Sequence, residues 1–102
     1  MPAICRIGDD LSTGHACAST TTIESSNQTT LNVYANEILI DVVGAPTVSH
    51  AYPPAPICPP HVANLNAGSS TVFINGIAVG RIGDSADSGA MTSGSTNVFA
   101  GG

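Results

Sequence analysis

The chain contains no Lys and no Trp, and its two Arg stand against seven Asp and Glu residues. The formal net charge is therefore −5. A protein without a basic patch cannot neutralise phosphates, so we expect no nucleic-acid binding and no adhesion to anionic lipid. No apolar run approaches the roughly 18–20 residues of a membrane-spanning helix. The N-terminus lacks a basic segment followed by an apolar one, which predicts cytosolic synthesis without a signal peptide.

Large core-forming side chains are also scarce, with two Phe and two Tyr in 102 residues beside 11 Gly and seven Pro. Residues 1–102 suffice for one domain, but a domain of this size buries only roughly 60–65% of its unfolded surface. Glycine adds a large entropy cost on folding. We therefore expect a staple: a disulfide, a metal or a partner surface. The three cysteines are too few for a disulfide framework, and a cytosolic origin favours metal binding or free thiols.

Internal repetition is the strongest pattern in the sequence. Arg6–Asp9 recurs as Arg81–Asp84, and Gly68–Gly76 recurs as Gly94–Gly102, with a weaker copy at Thr30–Asn36. A Val precedes an aromatic residue in all three copies of the second segment, at Tyr34, Phe73 and Phe99. The chain therefore divides into three units, approximately 1–36, 37–75 and 76–102, within one domain.

Each unit has the pattern of a β-hairpin. β-Branched and other apolar residues alternate with period two around Asn75-Gly76, which is the strongest short hairpin signal. Asn36-Glu37 takes the same place in the weaker copy. No stretch has apolar residues at helical spacing for two turns. The prediction is an all-β fold of three repeated hairpins, arranged as a small, tapered, pseudo-threefold object.

These motifs resemble those of PAAR-repeat proteins. That family carries a Gly-Ser-x-x-Val-x-Ile-Asn-Gly hairpin followed by Pro-Ala-Ala-Arg-x-Gly-Asp or a variant. Here Gly68–Gly76 is followed by Ile77–Asp84, the chain opens with Pro2–Asp9, and it closes on Gly94–Phe99 and three further residues. The resemblance spans nearly the whole chain. The namesake tetrapeptide is eroded, and the middle copy lacks both Gly-Ser and Gly-Asp.

The resemblance implies a cone with a metal site near its apex and no catalytic role. Such a cone caps a trimeric β-helical spike protein of a contractile phage tail or a type VI secretion system, as a monomer on a homotrimer, and helps it to pierce the target membrane. The expected location is the spike tip of a virion tail or of an exported type VI spike. The chain shows no fused toxin segment, which favours a phage tail slightly.

The resemblance also implies a metal held by three His and one Cys, and the chain has three histidines. His15 follows Gly8 by seven residues and His50 follows Gly44 by six, so equivalent loops bring these two side chains together. The short Cys58-x-x-His61 spacing lets two ligands share one ion. His15, His50, Cys58 and His61 then form a closed set suited to zinc, with iron as the alternative ion. Cys17 is the rival to Cys58, and Cys5 is expected to be a small buried residue.

The remaining charged residues are assigned structural roles. Asp9 and Asp84 are expected to brace the turns that follow Arg6 and Arg81 rather than to form surface ion pairs. The other acidic positions considered are expected to be solvated: Asp10, Glu24, Asp41 and Asp87.

Two alternative functions remain open. One is a hydrolase that uses a Cys–His pair or the metal, but no Asp or Glu lies between Asp41 and Asp84 to orient a histidine or act as a base. A four-ligand site also leaves no open position for water. The other alternative is a free-standing metal-binding module for surface adhesion.

Overall fold

Residues 1–101, which the computed structural model describes, form short antiparallel β-strands joined by turns, with no helix among them. This confirms the predicted all-β class and its short hairpins. The strands are β1 (Asp10–Ser12), β2 (Thr20–Thr22), β3 (Tyr34–Ala35), β4 (Ile38–Leu39), β5 (His50–Ala51), β6 (Pro60–His61), β7 (Phe73–Ile74), β8 (Ile77–Ala78), β9 (Ser85–Ala86) and β10 (Gly89–Met91). None of the described residues belongs to a helix that could cross a membrane.

Four strands form one antiparallel sheet in the order β2-β1-β10-β9, and six pair as the hairpins β3–β4, β5–β6 and β7–β8. Leu11 at the centre of β1 is the register partner of Thr21 on β2 and of Met91 on β10. In the β5–β6 pair, His50 faces His61. The first and last units of the chain therefore share a sheet, while the middle unit contributes a separate pair of histidine-bearing strands.

Two of the hairpin turns need left-handed backbone conformations. Asn75 and Gly76 have φ values of 53° and 81°, as a type I′ turn requires. Asn36 and Glu37 adopt the same conformation, with φ values of 54° and 65°. Glycine tolerates this region because it has no Cβ, and Asn is the next most tolerant residue. Glu37 has neither property, so its backbone is strained.

The N-terminal segment pairs with the C-terminal copy of the hairpin repeat. Ala3 bridges Phe99, and the Ile4 backbone N–H donates to the Val98 carbonyl over 2.9 Å. The same bond closes the other two hairpins, from Ile40 to Val33 and from Val79 to Val72, each over 3.1 Å. The N-terminal segment thus takes the place of a second strand beside the C-terminal repeat.

Three backbone groups from distant parts of the chain form a closed hydrogen-bond cycle. The Cys5 N–H donates to the Gly80 carbonyl, the Gly80 N–H to the Asp41 carbonyl, and the Asp41 N–H to the Cys5 carbonyl, each over 2.9 Å. Such a cycle requires the three units to meet around one centre. We call these three residues the central ring.

Two hydrophobic clusters adjoin this ring, in a molecule measuring 40 × 25 × 21 Å along its principal axes. The hairpin cluster contains Ile4, Ala35, Ile40, Val42, Ile74, Val79 and Ala100. The sheet cluster contains Cys5, Leu11, Ile23, Ala45, Leu65, Ala86 and Met91. Cys5 is free and buried, as expected, and burial raises the pKa of its thiol above the usual range.

Asp41 was expected to be solvated, but the structure places it in the interior. Its exposed fraction is 0%, and neither carboxylate oxygen has a hydrogen-bond partner. Desolvation, reinforced by the negative charge of Asp9, raises its pKa from 3.8 to about 8, against the opposing effect of Arg6. The expectation was wrong because Asp41 belongs to the central ring, where the chain is surrounded on all sides.

The two Arg-Ile-Gly-Asp segments have the same internal geometry. Asp9 Oδ2 accepts the Arg6 backbone N–H over 2.7 Å and the Arg6 Nε–H over 3.0 Å. Asp84 Oδ2 accepts the corresponding groups of Arg81 over 2.8 Å and 3.0 Å. Each carboxylate therefore braces its turn, as predicted, and pairs with the guanidinium at the same time. The ion pairs are part-buried and do not lie at the open surface.

Candidate metal centre

Four side chains converge from two loops and one pair of strands. His15 lies in the connection between β1 and β2, His50 and His61 lie in the paired strands β5 and β6, and Asp87 lies in the turn between β9 and β10. One ligand atom from each residue lies within 4.8 Å of the others. We call these four residues the His/Asp cluster. The cluster unites positions as distant in sequence as His15 and Asp87.

The carboxylate of Asp87 is the centre of this arrangement. Its Oδ2 lies 2.8 Å from Nε2 of His15 and 2.8 Å from Nε2 of His50, while its Oδ1 lies 3.5 Å from Nε2 of His61. The two Nε2 atoms of His15 and His50 are 3.2 Å apart. The Asp87 side chain is only 4% exposed, so these groups interact with little solvent between them.

The Nδ1 atoms of two histidines already have backbone carbonyls as hydrogen-bond partners. Nδ1 of His15 lies 2.9 Å from the Ala16 carbonyl, and Nδ1 of His50 lies 2.9 Å from the Val48 carbonyl. Carbonyl oxygens only accept hydrogen bonds, so both Nδ1 atoms carry a proton. A neutral imidazole in that tautomer presents an Nε2 lone pair, and here both lone pairs face each other and a carboxylate. A proton or a metal cation at the centre is needed to make the arrangement favourable.

The ionisation of the cluster follows this geometry. Burial alone would raise the pKa of Asp87, but the hydrogen bonds with His15 and His50 outweigh it and lower that pKa. The pKa of His15 is raised, first by its hydrogen bond to the Ala16 carbonyl and then by the carboxylate of Asp87. The cluster therefore stabilises positive charge beside an ionised carboxylate.

His61 supplies the atom that points most directly to a missing partner. Its Nε2 is buried and makes no hydrogen bond, since the 3.5 Å separation from Asp87 is too long for a good one. A buried polar nitrogen without a partner is costly, and coordination of a cation would satisfy it. The Tyr52 ring covers this side, with its centroid 4.3 Å from that of His61 and 4.7 Å from that of His15.

The donor set suits a divalent transition metal. Three imidazole Nε2 atoms and one carboxylate are ligands that zinc accepts in proteins, and imidazole also suits iron. Hydrogen bonds from Nδ1 to backbone carbonyls are the usual way in which a ligating histidine is oriented. The four residues therefore fit a metal ion on the chemistry of their donors, on their tautomers and on the orphaned nitrogen of His61.

The three histidines of the predicted ligand set lie together in the structure. The prediction of Cys58 as the fourth ligand is wrong. Cys58 forms a disulfide with Cys17, its rival for the same role, and a disulfide sulfur is not a thiolate ligand. The expectation of free or metal-bound thiols fails at both positions for the same reason. The loops that bring His15 and His61 together also bring their neighbouring cysteines within bonding distance.

Asp87 is the cluster residue that the sequence analysis missed, because it was assigned to solvent. A signal for it was present. His15 and His50 were found by comparing the loops that follow Gly8 and Gly44, and the equivalent loop after Gly83 contains Asp87 four residues on. The carboxylate near the histidines, whose absence from residues 42–83 argued against catalysis, comes from this third loop.

Comparison with known proteins adds no relative. No family model and no curated protein matches the chain. The fold and the His/Asp cluster are therefore the basis for any statement about function.

Proposed function

We propose that the chain is a PAAR-like spike-tip protein, which caps a trimeric β-helical spike of a contractile phage tail or a type VI secretion system. In this proposal it is a non-catalytic cone that sharpens the spike for piercing the target membrane. The observation that carries the proposal is the central ring. The backbones of three residues, one from each sequence repeat, are linked in a cycle of three hydrogen bonds of equal length.

Further hydrogen bonds repeat around the same centre and support a pseudo-threefold arrangement. The backbone N–H groups of Ile7, Val43 and Ile82 donate to the carbonyls of Leu39, Ala78 and Ala3, over 3.0, 2.9 and 2.9 Å respectively. One residue later, the N–H groups of Gly8, Gly44 and Gly83 donate to the carbonyls of Ile23, Leu65 and Met91, over 2.9, 2.8 and 2.9 Å respectively. A monomer with three equivalent faces matches a partner with true threefold symmetry.

The hairpins carry the surface that, in this proposal, binds the spike protein. Tyr34, Phe73 and Phe99 follow a Val in each copy of the repeat, and they are 54%, 53% and 48% exposed. Large aromatic residues are enriched at protein interfaces, where their burial on binding contributes strongly to affinity. Edge strands without Lys leave backbone groups free to pair with the strands of another chain.

The His/Asp cluster belongs to the opposite end in this arrangement. Twice along the chain the backbone passes from a hairpin turn, through the central ring, to the cluster: from Asn36 by way of Asp41 to His50, and from Gly76 by way of Gly80 to Asp87. We assign zinc to the cluster, with iron as the alternative ion. A structural zinc site contributes on the order of 10 kcal/mol of apparent folding free energy, which suits a small core.

The proposed role of the metal is mechanical rather than catalytic. Four protein ligands complete a tetrahedral zinc site and leave no position for a water nucleophile. The ion would tie the loops that carry His15, His50 and Asp87 into one apex, so that the tip keeps its shape when the sheath drives it forward. A free-standing adhesion module would use the same metal site but would have no need of the exposed aromatic residues.

Spike binding is the test of this proposal. The protein is mixed with candidate trimeric β-helical spike proteins, and the mass of each complex is measured by light scattering after size exclusion. One chain per trimer is the expected result. Phe73→Ser should weaken the complex strongly, whereas Ile57→Ser, a change at an exposed residue of the β5–β6 connection near the His/Asp cluster, should not. If the chain stays monomeric with every candidate spike protein, the result would favour the adhesion module instead.

A further inference from the structure

The Cys17–Cys58 disulfide joins the two loops that flank the His/Asp cluster. Cys17 lies two residues after His15, and Cys58 lies three residues before His61. The histidines of β5 and β6 need no such link, because His50 and His61 are held opposite each other by strand pairing. His15 lies outside that pair, so its position relative to the other two must be fixed in another way.

The disulfide is the covalent tie between these loops. Within the described residues, no backbone hydrogen bond joins 14–19 to 50–62. The loop of His15 is instead stabilised internally, by the Thr13 N–H donating to Ser19 and by the Thr13 hydroxyl donating to Ala18. The remaining contacts across the gap are made by side chains. His15 contacts His50, His61 and Tyr52, and the Asp87 carboxylate lies 2.8 Å from Nε2 of both His15 and His50.

Both half-cystines have strained backbones. Cys17 has a φ of 76° and Cys58 a φ of 43°, in the left-handed region that is costly for residues with a Cβ. Such conformations persist where the surrounding structure imposes them. Without the covalent link, each residue can relax to an ordinary conformation, and that rotation would displace the histidine two or three residues away.

We propose that the Cys17–Cys58 disulfide is a redox-sensitive clamp on the metal site, so that its reduction releases the metal by separating His15 from the β5–β6 histidines. The proposal rests on the metal-binding part of the proposed function and extends it to regulation. A dithiol reductant supplies two electrons and two protons to the Sγ–Sγ bond, which yields two thiols and the reductant's own disulfide. Cys17 is exposed, so a reductant can reach it. Oxidising surroundings would then close the apex and reducing surroundings would open it.

The test compares the zinc affinity of three forms of the full chain by competition with a chromophoric chelator. The first form has the disulfide intact, and the second is reduced with a dithiol and then alkylated so that the freed thiols cannot act as ligands. The third is the Cys17→Ser/Cys58→Ser double variant. We expect the second and third forms to bind zinc at least about ten-fold more weakly than the first, as when a supporting partner of a metal ligand is lost. The reductant should not alter the affinity of the double variant, which serves as the control.

Equal affinity in all three forms would overturn the clamp while leaving the metal site intact. Tighter binding by the reduced, unalkylated chain, with a sulfur-to-metal charge-transfer band on Co²⁺ substitution, would also overturn it, because a thiolate would then have joined the site. If the oxidised chain binds no zinc, the proposed metal site is refuted, and the proposed redox-sensitive clamp is refuted with it. Spike binding is measured separately, so its failure is distinguishable from each of these results.

Discussion

Replacing Asp41 by Asn should stabilise the protein at neutral pH and remove a large part of its pH dependence. Asp41 is fully buried in the central ring, and neither of its oxygens has a hydrogen-bond partner. Its pKa is raised from 3.8 to about 8, mainly by desolvation and further by Asp9. Folding at neutral pH therefore requires the carboxylate to take up a proton that the unfolded chain does not hold.

The sign of the effect follows from this proton. The contribution of Asp41 to stability is fully present below about pH 4, where both states are protonated, and it is lost as the pH rises towards 8. Between those limits the free energy of unfolding falls by about 1.4 kcal/mol for each pH unit. At pH 7 the accumulated cost is roughly 4 kcal/mol, which is large beside the roughly 5–15 kcal/mol that stabilises a typical domain.

The measurement is chemical unfolding of wild type and Asp41→Asn between pH 5 and pH 8, followed by far-ultraviolet circular dichroism. Asn keeps the size of the side chain and removes its ionisation, although its amide is also left without partners. We expect the variant to gain roughly 2–4 kcal/mol over wild type at pH 7 and to lose this advantage progressively towards pH 4. Both proteins keep the His/Asp cluster, so its own pH dependence cancels in the difference.

Glu24→Gln is the matched control, because Glu24 is an exposed acid. It should leave the pH dependence of stability close to that of wild type. Parallel stability curves for wild type and Asp41→Asn would refute the reasoning. They would mean that Asp41 is as well solvated in the folded protein as in the unfolded chain.

Four further changes test the hairpins and the metal site. Glu37→Gly should raise stability by about 0.5–1 kcal/mol, since it removes a side chain from a left-handed position, and Gly76→Ala should lower it; opposite signs in thermal melts would contradict the turn assignment. His50→Ala should abolish bound metal in elemental analysis and lower the melting temperature sharply, and an unchanged melting curve without metal would refute the stabilising role of the ion. Asp87→Asn should keep the fold but weaken zinc binding by about 10–100-fold in a chelator competition, whereas unaltered affinity would remove Asp87 from the ligand set.

The hairpins were predictable because their signals are local. Asn75-Gly76 between alternating apolar residues specifies a type I′ turn by itself, since few other dipeptides accept two positive φ values. The repetition of the segment located the weaker turn at Asn36-Glu37, although Glu37 is a poor residue for it. Internal comparison succeeded where propensity alone would have failed.

The candidate metal site was predictable in part. Comparing the loops after Gly8 and Gly44 predicted that His15 and His50 would meet, and the structure places them together. Cys58 was chosen as the fourth ligand because its spacing from His61 is short, but spacing does not say which way a side chain points. In the structure the two sulfurs of Cys17 and Cys58 are bonded to each other, and Asp87 takes the place beside the three histidines.

The strand class, the turns, the repeat and the meeting of His15 with His50 follow from the sequence alone, since each depends on neighbouring residues or on comparison of one unit with another. The environment of single side chains is set by the tertiary fold. Asp41 and Asp10 are both acids beside apolar residues, yet one lies in the central ring and the other is exposed. Burial depends on what the rest of the chain places around a residue, and no local pattern contains that information.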